Sequence, residues 1–348
     1  MEMINHFDLT NYVLLTILLA ILPLFTTCYE IRAIENLRSL EMLSLTIGAG
    51  PESLAFDPSG GGPYTGVSNG RVLKWKGGDL GWVEFAFNSN HRDEECGVYN
   101  NEMMESKCGR PLGLQFHKAT GDLYIADAYL GLLTVGPEGG PMTLVAAVAD
   151  GVPFNFTNGV DIDQDTGMVY FTDSSIHFQR REYMMLVLSG DASGRLMRYD
   201  PATKRVTVLE NGLTFPNGLV VSHDNTHLLV AMTSPCRILK YWLRGPRTGT
   251  FETFAELPGY PDNIKRNSKG EYWVALGQEK IQLNGLQKRV ANFEPMLDHP
   301  IALRLSQEGR VLEVLDGGIM TSISEVEERN GSLWLGSVVS PYVGVYEA

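Results

Sequence analysis

The chain has 348 residues, of which 44% are hydrophobic and 20% are charged, so it contains enough apolar material for a large core. Its formal net charge at pH 7 is −13. Nucleic-acid binding requires a basic face, and we therefore exclude nucleic acid as a partner.

The first predicted element is a near-continuous apolar run from Tyr12 to Tyr29. Its apolar stretch of about 14 residues is typical of a signal-peptide core or a short signal anchor. The segment before it carries Glu2 and Asp8 but no Lys or Arg, which departs from the usual basic start. We assign residues 1–28 to a signal peptide or signal anchor, leaving open cleavage, membrane attachment or, alternatively, a buried core helix.

The chain after this leader repeats itself. Six segments open alike, and all but the first continue through a turn into an apolar strand. The openers are GPESLAFD at 50, GRPLGLQFH at 109, FTNGVDID at 156, FPNGLVVS at 215, YPDNIKRN at 260 and ISEVEERN at 323. Six repeats at the spacing of these openers, each with alternating strands, predict an all-β six-bladed β-propeller. We place it as one domain over residues 29–348.

Two long insertions interrupt the repeat, one near 174–191 and one near 276–300. We predict that these insertions, as loops or short helices, cover one end of the central channel.

Four openers carry a polar side chain at the same place. In a propeller the first strand of each blade lines the channel, so these side chains should point to one axial position. The residues are Glu52, Asn158, Asn217, Asp262 and Asn263. Buried carboxylates and amides need partners, and mixed acid and amide oxygens suit Ca²⁺ better than Mg²⁺. The sequence therefore predicts an axial Ca²⁺ site, although Asn-Gly at 158 and 217 is also typical of turns.

Three further features fit the secretory pathway. Cys96 and Cys108 bracket a polar stretch and are expected to form a disulfide in an oxidising compartment. Sequons at Asn155 and Asn330 predict glycosylation, with Asn330 in an exposed Asn-Gly turn.

Together these stretches resemble the strictosidine synthase-like proteins of plants, in the propeller superfamily that includes paraoxonases and gluconolactonases. The resemblance covers nearly the whole chain after the leader. Its most specific stretches are YTGVSNGRVLKW, CGRPLGLQFH, LYIADAYLGLL, GVDIDQDTGMVYFTDSS and PDNIKRNSKGEYWVAL. In paraoxonase-type members a Glu, two Asn and an Asp-Asn pair hold calcium, and they match the five predicted ligands one for one. The resemblance also implies a Cys96–Cys108 disulfide like that of the synthase.

The chain departs from the synthase at its general base. That residue is a Glu before the last hairpin, and counting back from Asn330 places Ser324 there. Glu325 is adjacent, but on a regular strand it would face the opposite side. Ser324 cannot act as that base at neutral pH.

We therefore expect a metal-dependent hydrolase of small esters or lactones, with Asp262 and Glu52 as candidates for positioning water. His177, in the first insertion, could overhang the channel, but an exposed loop histidine is the simpler interpretation. The alternatives are a non-catalytic propeller with a structural metal and a binding role, and a Pictet–Spengler-type synthase of alkaloid biosynthesis.

The expected partner is a small-molecule ester, lactone or other small metabolite, and the expected state is a monomer. The resemblance implies the vacuole or the endoplasmic reticulum, with secretion from the cell also open.

Overall fold

The computed structural model describes residues 32–34, 40–88, 96–97, 104–277, 300–316, 320 and 322–347. The six sequence repeats fold into six sheets, each with four antiparallel strands and two with an added parallel strand, and the predicted all-β six-bladed propeller is confirmed. The leader at 1–28 and most of the insertion at 276–300 lie outside the described residues.

Each blade runs from an inner strand outward in chain order. Blade 1 contains β3 (Leu54–Ala55), β4 (Tyr64–Gly66), β5 (Arg71–Trp75) and β6 (Trp82–Phe87). Blade 2 contains β7 (Pro111–Phe116), β8 (Leu123–Asp127), β9 (Gly131–Val135) and β11 (Thr143–Ala146). Blade 3 contains β14 (Thr157–Ile162), β15 (Val169–Asp173), β16 (Gly194–Asp200) and β17 (Arg205–Leu213).

Blades 4 to 6 repeat the pattern. Blade 4 contains β18 (Pro216–Val221), β19 (His227–Met232), β20 (Arg237–Trp242) and β21 (Phe251–Glu256). Blade 5 contains β22 (Tyr260–Arg266), β23 (Tyr272–Gly277), β24 (Pro300–Leu305) and β25 (Val311–Asp316). Blade 6 contains β26 (Ile323–Arg329), β27 (Ser332–Ser337), β28 (Tyr342–Glu347) and β2 (Glu41–Ser44).

The outer strand of blade 6 comes from the start of the domain. Strand β2 pairs antiparallel with β28, so the two ends of the chain close the ring in one sheet. The repeat pattern, which begins at residue 50, did not reveal this strand because β2 precedes the first opener. Two short strands extend other blades in parallel, namely β1 (Arg32–Ile34) on β25 and β10 (Gly140–Pro141) on β6. A small hairpin, β12 (Val148–Ala149) and β13 (Val152–Pro153), links blades 2 and 3.

Apolar side chains fill the interfaces between blades. Between blades 1 and 2, for example, Tyr64 and Val72 pack with Phe116 and Ile125. Because the sheets pack face to face, inner strands such as β14 and β18 are buried at every residue. Each fully buried large apolar side chain contributes about 1.5–3 kcal/mol, and this burial holds the six inner strands side by side around the channel.

The first insertion forms short helices at one end of the channel. It leaves β15 and contains a 3₁₀ turn at Arg180–Glu182 and helix α2 (Tyr183–Ser189). A second short helix, α1 (Glu105–Cys108), precedes blade 2. Within the described ranges, no helix is both long and apolar enough to span a bilayer.

Candidate metal centre at the mouth of the channel

The six inner strands place one residue each at the same level of the channel, near the end where each strand begins. These residues are Glu52, Leu112, Asn158, Asn217, Asp262 and Ser324. Five of the six strands have a β-bulge at this level, at Pro111/Gly113, Thr157/Val160, Pro216/Leu219, Pro261/Ile264 and Ile323/Glu325. A bulge re-aims the side chains of its strand, so the same irregularity is built into blade after blade at the predicted site.

We call the five ligands predicted from the sequence, Glu52, Asn158, Asn217, Asp262 and Asn263, the ligand ring. The amide nitrogen of Asn263 lies 3.0 Å from Glu52 Oε1, although 211 residues separate them in the chain. Asn217 lies close enough to the Asp262 carboxylate to lower its pKa.

The Asn-Gly dipeptides are not turns. Asn158-Gly159 lies inside β14 and Asn217-Gly218 lies inside β18. A Cβ on Gly159 would lie 2.7 Å from the Asn217 carbonyl oxygen, and one on Gly218 would lie 2.6 Å from Asn263 Cα. Glycine is therefore present because the backbone of the next blade packs against it, and the turn interpretation left open by the sequence is wrong.

Two blades fix the orientation of their amide in the same way. Asn158 donates from its nitrogen to Ser174 Oγ at 3.0 Å, and that hydroxyl donates in turn to the Pro216 carbonyl of the next blade at 2.8 Å. Asn217 repeats the arrangement with Thr233 at 3.1 Å. Because the hydroxyl protons are already used, each amide must present its nitrogen to the hydroxyl, and its oxygen remains available to another group.

The two ring carboxylates are held in an unfavourable environment. Burial raises the pKa of Glu52, while the charge of Arg110 opposes that rise. Burial and the charge of Glu52 raise the pKa of Asp262 well above its usual value. Glu52 is 1% exposed, whereas Asp262 is only partly buried. Two such groups at one centre favour a bound cation, which would relieve both the burial cost and the repulsion.

The ring fits a divalent cation by its donor chemistry. The side-chain oxygens of Asn158 and Asn217 are buried and accept no hydrogen bond within the described structure. Such an unsatisfied acceptor costs about 1–3 kcal/mol, and a hard cation would satisfy both oxygens together with the two carboxylates. In the described residues, no group of three or more His, Cys, Asp or Glu side chains is arranged for a metal. The ring instead combines two carboxylates with the amide oxygens of Asn158 and Asn217, while the Asn263 amide nitrogen is directed at Glu52 and Ser53.

A buried guanidinium lies beside the ring. Arg110 is 0% exposed, and its Nε lies 3.7 Å from Glu105 Oε1. Burial and the charge of Arg180 lower the pKa of Arg110 to about 10, with Glu105 and Glu52 opposing. The charge of Arg110 therefore favours the ionised form of Glu52 and opposes the effect of burial.

Glu105 joins α1 to the first insertion. Both of its carboxylate oxygens accept from Arg180 Nη1, at 3.0 and 2.9 Å, and Oε2 also accepts from the Tyr129 hydroxyl at 3.0 Å. Arg180 in turn lowers the pKa of Asp262 by its charge. These contacts fasten the insertion over the ring end of the channel, as the sequence predicted for this insertion.

An apolar cluster, which we call the roof, lies next to the ring. It contains Leu112, Ala128, Phe156, Leu186 and Phe215. Leu186 is 0% exposed and anchors α2 onto the roof, while Met185 and Leu188 of the same helix are exposed. The ring is thus bordered by charged groups on one side and by apolar ones on the other.

His177 is the histidine that the sequence placed near the channel. Its Nδ1 lies 2.8 Å from Asp191 Oδ1, and its side chain is 63% exposed. No contact joins it to the ligand ring in the described structure, so its place is that of an exposed loop residue.

Glu325 was expected to face away from Ser324 on a regular strand, and this prediction is wrong. Ser324 Oγ donates to the Glu52 carbonyl at 2.6 Å, and Glu325 accepts from Leu54 N and, at 3.2 Å, from Ser53 Oγ. The bulge at 323/325 turns both consecutive side chains toward blade 1, so Glu325 is not removed from the centre. Sequence reasoning missed this buried carboxylate because bulges carry no clear sequence signal.

The remaining predicted residues lie away from the ring. Cys96 and Cys108 form a disulfide that joins the chain before α1 to the last residue of α1. Asn330 is exposed in the turn between β26 and β27, and Asn155 is partly buried just before β14. Sequence reasoning also missed Arg110, because a single arginine inside an opener is not distinctive.

Comparisons with known proteins give consistent matches. A family model described as strictosidine synthase matches residues 158–246, and one described as strictosidine synthase-like, N-terminal, matches residues 35–75. The Arabidopsis thaliana protein Strictosidine synthase-like 10 is 48% identical over 330 residues, covering 89% of this chain and 88% of that protein. Strictosidine synthase-like 3 from the same plant is 46% identical over 336 residues, covering 89% and 85%.

Solved structures share the fold at low identity. A gluconolactonase from Xanthomonas campestris superposes with a TM-score of 0.60 at 16% identity, covering 88% of each chain. A calcium-binding protein, regucalcin, from Agrobacterium tumefaciens gives a TM-score of 0.56 at 14% identity, covering 91% of this chain and 94% of that one. At such identities the likeness establishes the propeller fold alone.

Proposed function

The chain belongs to the strictosidine synthase-like family, and from that premise we propose that it is a calcium-dependent hydrolase of small esters or lactones rather than a strictosidine synthase. One observation carries the proposal. At the channel mouth, buried Glu52 and partly buried Asp262 accompany two buried amide oxygens, those of Asn158 and Asn217, that accept no hydrogen bond in the described structure. The gluconolactonase and regucalcin folds add support by analogy only.

The ring would hold Ca²⁺ through Glu52, Asn158, Asn217 and Asp262, while the Asn263 amide nitrogen donates to Glu52. When bound, the ion supplies Lewis-acid polarisation of an ester or lactone carbonyl. The raised pKa values of Glu52 and Asp262 support this assignment, because a cation stabilises the ionised carboxylates that burial disfavours.

Asp262 is the better of the two carboxylates for positioning water. It is only partly buried, whereas Glu52 is 1% exposed and hydrogen-bonded by Asn263. Asp262 would accept one proton from water as the water oxygen joins the acyl carbon, and would return it to the alcohol oxygen when the acyl C–O bond breaks. The roof offers an apolar wall for the acyl group.

Ser324 argues against strictosidine synthesis. Its hydroxyl donates to the Glu52 carbonyl, and no hydroxyl at this place can replace the carboxylate of the synthase. The Cys96–Cys108 disulfide supports our proposal that the protein works in the secretory pathway.

The test uses purified full-length protein and a panel of aryl esters and lactones. We expect turnover with Ca²⁺, loss of turnover in EGTA, recovery on adding Ca²⁺ back, and at least a hundredfold lower kcat in Asp262→Asn. Glu313→Gln is the matched control, because Glu313 is buried in an ion pair with Arg304 on the outer strands of blade 5. Calcium binding without turnover of any panel member would refute the hydrolase and favour a structural metal.

A further inference from the structure

A second tier of residues lies one position further along the inner strands, just below the ligand ring. Its members are Ser53, Gly113, Gly159, Gly218, Glu325 and Asn263, of which Asn263 is also a member of the ligand ring. The tier is therefore polar in blades 1, 5 and 6 and has no side chains in blades 2 to 4. The bulge in β26 brings Glu325 into this tier, and Glu325 is 0% exposed.

Ser53 links two carboxylates. Its Oγ lies 3.0 Å from Glu52 Oε2 and 3.2 Å from Glu325 Oε2. The Asn263 nitrogen lies 3.2 Å from the same Oγ, which accepts that bond. A serine hydroxyl has one proton, so it can donate to Glu52 or to Glu325 but not to both.

The carboxylate to which Ser53 donates determines how Glu52 can bind a cation. If Ser53 donates to Glu52, one lone pair of Glu52 Oε2 is occupied by that proton. If Ser53 donates to Glu325 instead, both lone pairs of Glu52 Oε2 are free to bind a cation. When it is ionised, Glu325 is held ready to accept, because Leu54 N donates to its other oxygen and Lys265 Nζ lies 3.4 Å from its carboxylate.

We propose that Glu325 is a positioning residue of the ligand ring. It accepts the hydrogen bond of the Ser53 hydroxyl and thereby leaves Glu52 Oε2 free to bind the divalent cation. Lys265 balances the charge of Glu325 below the ring. The inference rests on the metal site of the proposed function but not on the hydrolase chemistry.

The experiment is a double-mutant cycle of Ca²⁺ binding by the full chain, measured by titration calorimetry at pH 8.5. The amide introduced by Glu325→Gln would donate to Ser53 and force the serine proton onto Glu52. We expect Glu325→Gln to raise the Kd for Ca²⁺ about tenfold, which is a common effect of substituting a residue that hydrogen-bonds to a metal ligand. In the Ser53→Ala background the same change should raise Kd no more than about threefold, because no proton remains to compete.

Glu313→Gln is again the control, since it breaks a buried ion pair of blade 5 and should leave Kd within about twofold of wild type. If Glu325→Gln does not fold, the double variant Lys265→Met/Glu325→Gln removes both charges. Its Kd for Ca²⁺ is compared with that of Lys265→Met alone, and the same tenfold increase is expected. An equal effect of Glu325→Gln with and without Ser53 would overturn the inference, as would no effect. Calcium binding with the expected cycle but no ester turnover would refute only the hydrolase. No calcium binding by the wild type would refute the metal site and this inference together.

Discussion

Calcium binding should release protons from the channel, and Glu325 should be one source. Burial, and the charges of Glu327 and Glu52, raise the pKa of Glu325 to about 8 against the opposing charge of Lys265. With that value the group is about 90% protonated at pH 7. A cation on the ring favours the ionised carboxylate, so up to about one proton per Ca²⁺ should leave Glu325 at pH 7.

The direction of the pH dependence of Ca²⁺ affinity follows from proton linkage. Because binding releases protons, Ca²⁺ affinity should rise with pH from 6 to about 8, by up to about tenfold per unit for each proton released, and level off above. In EGTA the folded state keeps a proton that the unfolded chain loses, so its stability should fall as pH rises from 4.5 to about 8. This pKa shift corresponds to about 5 kcal/mol.

Calorimetry in two buffers of different ionisation enthalpy gives the number of protons released. We expect Glu325→Gln to release up to about one proton fewer than wild type at pH 7, and Glu313→Gln to match wild type. Urea unfolding in EGTA at several pH values checks the stability. Equal proton release by wild type and Glu325→Gln, or an affinity that falls as pH rises, would refute the reasoning.

Three other outcomes are expected. Calcium at about 100 times Kd should stabilise the wild type by about 3 kcal/mol and raise Tm by about 5 °C, and Asp262→Asn should lose this rise; a rise retained in Asp262→Asn would contradict the ring. Leu186→Ala should cost about 2–5 kcal/mol in urea unfolding, because Leu186 is fully buried in the roof; a loss below about 1 kcal/mol would show that α2 is not anchored there. After expression through the secretory pathway, peptide mass spectrometry should find Asn330 more fully glycosylated than Asn155, because Asn330 is exposed and Asn155 is partly buried with its N–H bonded to Asp173; the reverse order would be evidence against the exposure assigned to these two sites.

The repeat made the architecture predictable. Strand alternation and six similar openers indicated six blades, because each blade must bury the same faces against its neighbours. The same alignment brought Glu52, Asn158, Asn217 and Asp262 to one level, since equal places in equivalent strands lie at equal heights along the axis. The sequence thus determined the fold, and it supplied the residues from which we propose the ligand ring.

Other features depend on contacts that no local pattern records. Strand β2 closes blade 6 from the far end of the chain, and Arg110 reaches the ring only because blade 2 packs beside blade 1. Glu325 shows the limit most clearly. Period-two alternation places it away from Ser324, but a bulge, required where the strand bends at the channel, turns both toward Glu52 and Ser53. Which oxygens remain free for a cation was likewise decided by hydrogen bonds between neighbouring blades, because a proton shared across two strands belongs to the tertiary structure and not to either segment.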